Sequence, residues 1–172
     1  MKYIISLLFF MAFGCEQKDL VHQYSKFSGP DQESWGVTIL LTNEGVMRAK
    51  IKSGHLEKFN EREFVLLDSN IIADFFDKNE KHTSRLTSLS AEINEGSNNM
   101  KAFGQVIAVS DSGISLYTDT LIWNSKEEKM TTDDPIMLTT ELQDTIYGIG
   151  FESDSNLKNW KILQPSGVTN RK

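Results

Sequence analysis

Met100-Lys101-Ala102-Phe103-Gly104-Gln105-Val106-Ile107-Ala108-Val109-Ser110 is followed by Asp111-Ser112-Gly113, and then by Ile114-Ser115-Leu116-Tyr117-Thr118-Asp119-Thr120-Leu121-Ile122-Trp123. Every second residue of the first run (Met100, Ala102, Gly104, Val106, Ala108) is small or apolar. Successive side chains of a strand point to opposite faces, so this period of two reads as a strand with one apolar face. Asp111-Ser112-Gly113 supplies turn chemistry, and the second run reads as the partner strand. Phe103, Ile107 and Val109 put apolar groups on the other face as well. A register slip of one residue would exchange the two faces.

Outward from this pair, strand-like segments recur. Trp35 to Thr42 and Val46 to Lys52 flank Asn43-Glu44-Gly45, a hairpin signal. Phe64 to Leu67, Asn70 to Phe76 and Thr83 to Ile93 precede a turn at Asn94-Glu95-Gly96-Ser97. Lys129 to Thr132, Ile136 to Thr140, Thr145 to Phe151 and Trp160 to Leu163 follow Trp123. No sustained helical period appears, although Leu56 to Leu67 is compatible with a short helix. Short strands at regular spacing imply an all-antiparallel sandwich or barrel in one domain. Gly104, Gly148 and Gly150 fall inside strand-like segments, where glycine marks bends, bulges or close backbone approach. The terminal strands are candidate free edges, and Pro165 is expected to end pairing just past the last one.

The chain has 172 residues and a formal net charge of -6. That balance, without a basic stripe, argues against nucleic acid, and no nucleic-acid partner is expected. Lys2 precedes an apolar run from Tyr3 to Phe13, broken only by Ser6. The run is short of the roughly 20 residues a membrane-spanning helix needs, and fits the centre of a secretion signal. It ends at Ala12-Phe13-Gly14-Cys15, with a small residue before the single cysteine, which resembles a bacterial lipobox. Ala12 stands where leucine is usual, and Phe13 is bulkier than usual. The expected organisation is a signal peptide over 1–14, a lipidated Cys15 with a polar tether to residue 34, a β domain over 35–165 and a tail over 166–172. A free or buried thiol is the alternative for Cys15. Two or more acyl chains would anchor the domain stably. The tether reaches at most ~60 Å at about 3.3 Å per residue, so it restrains without orienting.

Catalytic patterns are missing from the sequence. No glycine-rich phosphate loop with its lysine occurs, nor a Gly-x-Ser-x-Gly elbow. His22, His55 and His82 are far apart and lack a second ligand at metal spacing, so no metal or other cofactor is expected. Glu152-Ser153-Asp154-Ser155-Asn156 begins like a calcium loop but has Leu157 and Leu163 where glycine and glutamate are required, and reads as turn chemistry. Trp35, Trp123 and Trp160 read as sheet or rim packing. The chain is expected not to be an enzyme.

The segment from Leu86 to Ile162 resembles the LptC family of lipopolysaccharide exporters, and more broadly the LptA/OstA-type sheet. The resemblance is carried by Leu89-Ser90-Ala91-Glu92-Ile93, the Met100–Val106 and Gly113–Trp123 runs, Thr132-Asp133-Asp134-Pro135-Ile136, Gly148-Ile149-Gly150-Phe151-Glu152-Ser153-Asp154, and Leu157 with Trp160 and Ile162. It implies an antiparallel β-jellyroll folded like a taco, with an open apolar interior that receives acyl chains. It also implies partners: lipopolysaccharide, the membrane subunits of an ABC transporter, and an LptA-like bridge protein. The location implied is the periplasmic side of the inner membrane. Family members commonly carry an N-terminal transmembrane helix, and a lipidated Cys15 would replace it here.

Burying one methylene is worth ~0.8 kcal/mol, so a bare acyl chain of about a dozen carbons costs on the order of 10 kcal/mol in water. A curled sheet with an apolar lining removes that cost. The expected lining positions are Ala91, Ile93, Met100, Ala102, Val106, Ala108, Ile114, Leu116, Ile136, Leu138 and Ile146. Alternating apolar residues also describe an ordinary filled core. A surface-exposed β-sandwich binding lipoprotein and a small jellyroll enzyme are the competing readings.

Overall fold

The computed structural model describes residues 29–169. Cys15, His22 and the apolar run before them lie outside the described residues. Nine strands form one antiparallel sheet in chain order: β1 (Gln32–Asn43), β2 (Val46–Phe59), β3 (Phe64–Phe76), β4 (His82–Asn94), β5 (Met100–Ser110), β6 (Ser115–Asn124), β7 (Lys129–Thr139), β8 (Thr145–Asp154) and β9 (Lys161–Thr169). Among the described residues each strand pairs only with its chain neighbours, so the sheet is a meander whose outer edges there are β1 and β9.

The turns follow the local chemistry. Glu44 and Gly45 between β1 and β2 have φ of 52° and 80°, the left-handed pair of a two-residue hairpin turn. Leu56 to Leu67 is not helical. β2 runs to Phe59, and a single 3-10 turn at Asn60–Arg62 leads into β3. After β8, the Asp154 carboxylate accepts the backbone N–H groups of Lys158 and Asn159, so the calcium-like stretch ends in side-chain-capped turns.

Several strands are longer than the sequence implies, because bulges interrupt their alternation without ending them. Phe64–Phe76 is one strand, with Ser69 and Asn70 bulged at φ 63° and 68°. Lys129–Thr139 is likewise one strand, with its register shift between Thr132 and Pro135. Pro165 does not end β9. It pairs with Gly148 at a register shift, and pairing continues to Thr169. Proline is tolerated there because β9 is an edge strand with an unpaired outer side.

The bulges share one level. Register shifts cross β2 between Lys52 and His55, β3 between Asp68 and Ile71, β4 between Thr87 and Ser90, and β5 between Phe103 and Val106. They continue through β6 between Thr118 and Ile122, and through β7 between Thr132 and Pro135. A bulge bends its strand, so aligned bulges crease the whole sheet across its strands. Hydroxyls satisfy backbone carbonyls along this line. Ser53 Oγ lies 2.6 Å from the carbonyl oxygens of both His55 and Asp68, Ser88 Oγ donates to the Ser90 carbonyl, and Thr118 Oγ1 donates to that of Pro135.

The crease folds the sheet onto itself. Phe75 on β3 is level with Ser84 on β4, Ser110 on β5 and the start of β6. Trp123 sits at the far end of β6, so in a flat sheet the two rings would be about 30 Å apart, from strand spacing and rise per residue. Their centroids are 5.2 Å apart. Each strand therefore contributes one half to each wall, and the inner halves close around one apolar cluster.

Candidate functional site

The inner face of the folded sheet is the candidate site. Ten of the eleven lining positions read from the sequence belong to its buried apolar cluster: Ala91, Ile93, Met100, Ala102, Val106, Ala108, Ile114, Leu116, Ile136 and Leu138. Ile146, at the start of β8, is only half-buried. The register chosen for Met100–Ser110 is the structural one, since Lys101 and Val109 are exposed on the opposite face.

Sequence alternation missed much of the same face. Ile51, Leu67, Ile71, Phe75, Leu86, Leu121, Trp123 and Phe151 are all buried there. β6 shows the reason. Leu116 and Thr118 face inward at even positions, the bulge at Asp119 changes the phase, and Leu121 and Trp123 face inward at odd ones. β4 flips in the same way between Ser88 and Ala91. A polar residue standing where an apolar one was due is the only trace such a flip leaves in sequence.

The face is floored by small side chains. Ala91 of β4 and Ala102 of β5 stand opposite each other, both with 0 % exposure, flanked by Leu67 on β3 and Leu121 on β6. Ala49, Ala73 and Ala108 are also fully shielded. The side chains of the two walls cover one another. Half-buried Val37, Ile39 and Leu56 near the β1 edge, with Trp160 and Ile162 at β9, form the apolar rim of the cluster.

The three glycines singled out shape the crease and the last edge. Gly104 has φ 79°, which a side chain opposes, and a Cβ there would press on Leu89. Gly148 and Gly150 let β9 approach β8. A Cβ at Gly148 would meet Ile162 and the Gln164 carbonyl, and one at Gly150 would meet Leu163.

Charged groups sit at the corner where the walls meet and on the outer face. Arg48 is 6 % exposed, and its guanidinium donates to Glu128 at 2.6 Å. Arg85 Nε donates to Asp74 Oδ1 at 2.6 Å, and His82 Nε2 lies 3.3 Å from the same oxygen. Burial pushes the Asp74 carboxyl up, but the Arg85 hydrogen bond and charge, aided by His82, outweigh it and hold it below its ordinary value. None of these groups lines the apolar floor.

An antiparallel sheet creased onto an apolar inner face, its outer strands each paired on one side only, defines the β-jellyroll, folded-sheet class. The model of the family described as lipopolysaccharide-assembly, LptC-related matches residues 36–167, and the chain belongs to that family. Its role is accordingly in lipopolysaccharide transport, and the family is one of transport components. No curated protein matches the chain. Among the described residues no helix is long and apolar enough to cross a membrane.

Proposed function

We propose that this chain takes the acyl chains of lipopolysaccharide from an ABC transporter into its folded sheet and passes them to an LptA-like bridge protein. The observation that carries the reading is the continuous shielded face around Ala91 and Ala102 in a chain of the LptC-related family. The lipid occupies the space between the walls, and the sugar headgroup stays outside. The unpaired sides of β1 and β9 take the strands of the transporter's membrane subunits and of the bridge, extending one apolar surface from protein to protein. Lipidated Cys15 and the tether that follows hold the domain at the periplasmic side of the inner membrane. The signal-like run before Cys15 supports that placement.

Site-specific photocrosslinking tests the lipid route. A photoreactive residue at Ala102 or Leu116 is expected to label lipopolysaccharide in cells, and one at outward-facing Lys101 is not. Silence from both inner positions, or equal labelling from Lys101, overturns the proposal. Co-purification of an ABC transporter with the tethered chain is the expected outcome for the partner, and its loss on altering β1 or β9 identifies the docking edge.

A further inference from the structure

On the outer face of the β1–β2 edge, Glu33, His55 and Glu57 each offer one ligand atom, and these three atoms lie within 4.8 Å of one another. We propose that they form a binding site for a divalent transition-metal ion of the zinc type. The three residues are far apart in sequence, and strand pairing brings them together. Glu33 is the direct cross-strand partner of Glu57, and His55 is two residues before Glu57 on the same face. That face is the outer one, because Leu56 between them packs on the apolar cluster and neighbouring side chains alternate.

Three further features favour a cation here. Like charges directly opposed across an antiparallel pair repel, and an ion between Glu33 and Glu57 turns that repulsion into attraction. His55 Nδ1 lies 3.1 Å from Asp68 Oδ2 on β3, which leaves the other ring nitrogen for a metal. A carboxylate behind a ligating imidazole is the usual means of fixing its tautomer and orientation. Trp35, the cross-strand partner of His55, lies with its ring centroid 5.3 Å from the imidazole and limits its rotation.

The donor set selects the ion. One imidazole and two carboxylates suit zinc and its neighbours, whereas calcium and magnesium favour all-oxygen shells. Ligands of a tetrahedral zinc ion stand about 3.4 Å apart, given bonds of roughly 2.1 Å. Glu33 is exposed on the edge strand, so its side chain has room to move as the three ligand atoms close from within 4.8 Å. Three protein ligands leave a fourth position open to water or to a group from a docked protein. The ion would cross-link edge strand β1 to β2. His82 is not an equivalent site, since both its ring nitrogens are engaged, by Asp111 and Asp74.

The test is titration of the full chain with Zn2+ by calorimetry and with Co2+ by visible absorption. The expected result is one ion per chain, with four-coordinate Co2+ bands. Glu33→Gln and His55→Ala are expected to abolish both signals, Asp68→Asn to weaken binding about 10–100-fold, and His82→Ala to leave it unchanged. Glu33 is exposed on an edge strand, so Glu33→Gln keeps the test decisive if His55→Ala disturbs folding. Absence of binding by the unaltered chain, or Co2+ bands that persist in Glu33→Gln, overturns the proposal.

Discussion

Arg48 on β2 and Glu128 in the turn between β6 and β7 form an ion pair at 2.6 Å, although four strand spacings separate them along the sheet. Arg48 is also level with the start of β6 and Glu128 lies past its end, so in a flat sheet the two would be roughly 40 Å apart, from strand spacing and rise per residue. The pair therefore clasps the two walls at one corner, and only Nη2 of the nearly buried guanidinium is engaged, since Nε and Nη1 have no partner. Breaking a buried pair from one side leaves a charge without compensation and typically costs 3–5 kcal/mol. Glu128 is partly exposed, so Glu128→Ala is expected to cost about 2–3 kcal/mol, read as a lower urea midpoint. The double replacement Arg48→Met with Glu128→Leu removes both charges and is expected to recover most of that loss. A double variant as unstable as the single one would show that the clasp acts through packing.

β9 is held close to β8 by the missing side chain at Gly148. A Cβ at that position would stand 2.7 Å from the Gln164 carbonyl oxygen, a backbone atom that cannot swing away. Gly148→Ala is expected to destabilise by ~1–3 kcal/mol, as overpacking does. Gly148→Arg is expected to detach β9. Hydrogen exchange should show Ile162 and Gln164 losing protection while β3 and β4 keep theirs, and unchanged protection in β9 would refute this.

Asp74 makes stability depend on acid. Its folded carboxyl is held below the ordinary value of 3.8, chiefly by Arg85 against the opposing effect of burial, with His82 adding to it. The unfolded chain therefore takes up this proton first as pH falls. The contribution is fully present above the ordinary value and is lost as pH drops through the lower, folded one. Asp74→Asn is expected to lower the urea midpoint at neutral pH and to flatten its fall in acid. An acid limb identical to that of the unaltered chain would remove Asp74 from the account.

Ala102 and Ala91 leave the lowest point of the floor. Ala102→Phe would place a ring there, at an expected cost of ~1–3 kcal/mol in stability. In a variant that remains folded, lipopolysaccharide labelling from Leu116 should fall sharply. Labelling at the unaltered level would place the lipid away from this floor.

Sequence reading succeeded where alternation ran unbroken and faltered where bulges reset it. Met100–Ser110 forms a strand over its quoted span, and Met100, Ala102, Val106 and Ala108 face inward as read from the sequence, while Gly104 sits at the bulge and leaves the set. The breaks read after Leu67 and after Thr132 rest on residues whose types suit turns. They are bulges within β3 and β7. Leu121 and Trp123 escaped the lining because the phase of β6 changes at Asp119. Glu33, His55 and Glu57 show no ligand spacing because a strand pairing, and not a motif, sets their proximity. The apolar face was legible in the residues, while its curvature depended on the level at which separate strands falter together.

The aligned bulges give the walls a common hinge line. From the crease to the rim is some five residues, about 17 Å, so a rotation of roughly 10° there displaces the rim by ~3 Å. The ladder is already irregular at this level, and hydroxyls of Ser53, Ser88 and Thr118 already serve its carbonyls. Widening the gap at this level would thus leave the regular pairing of both panels intact, and the width offered to a guest would be governed from the spine of the molecule, away from its lips.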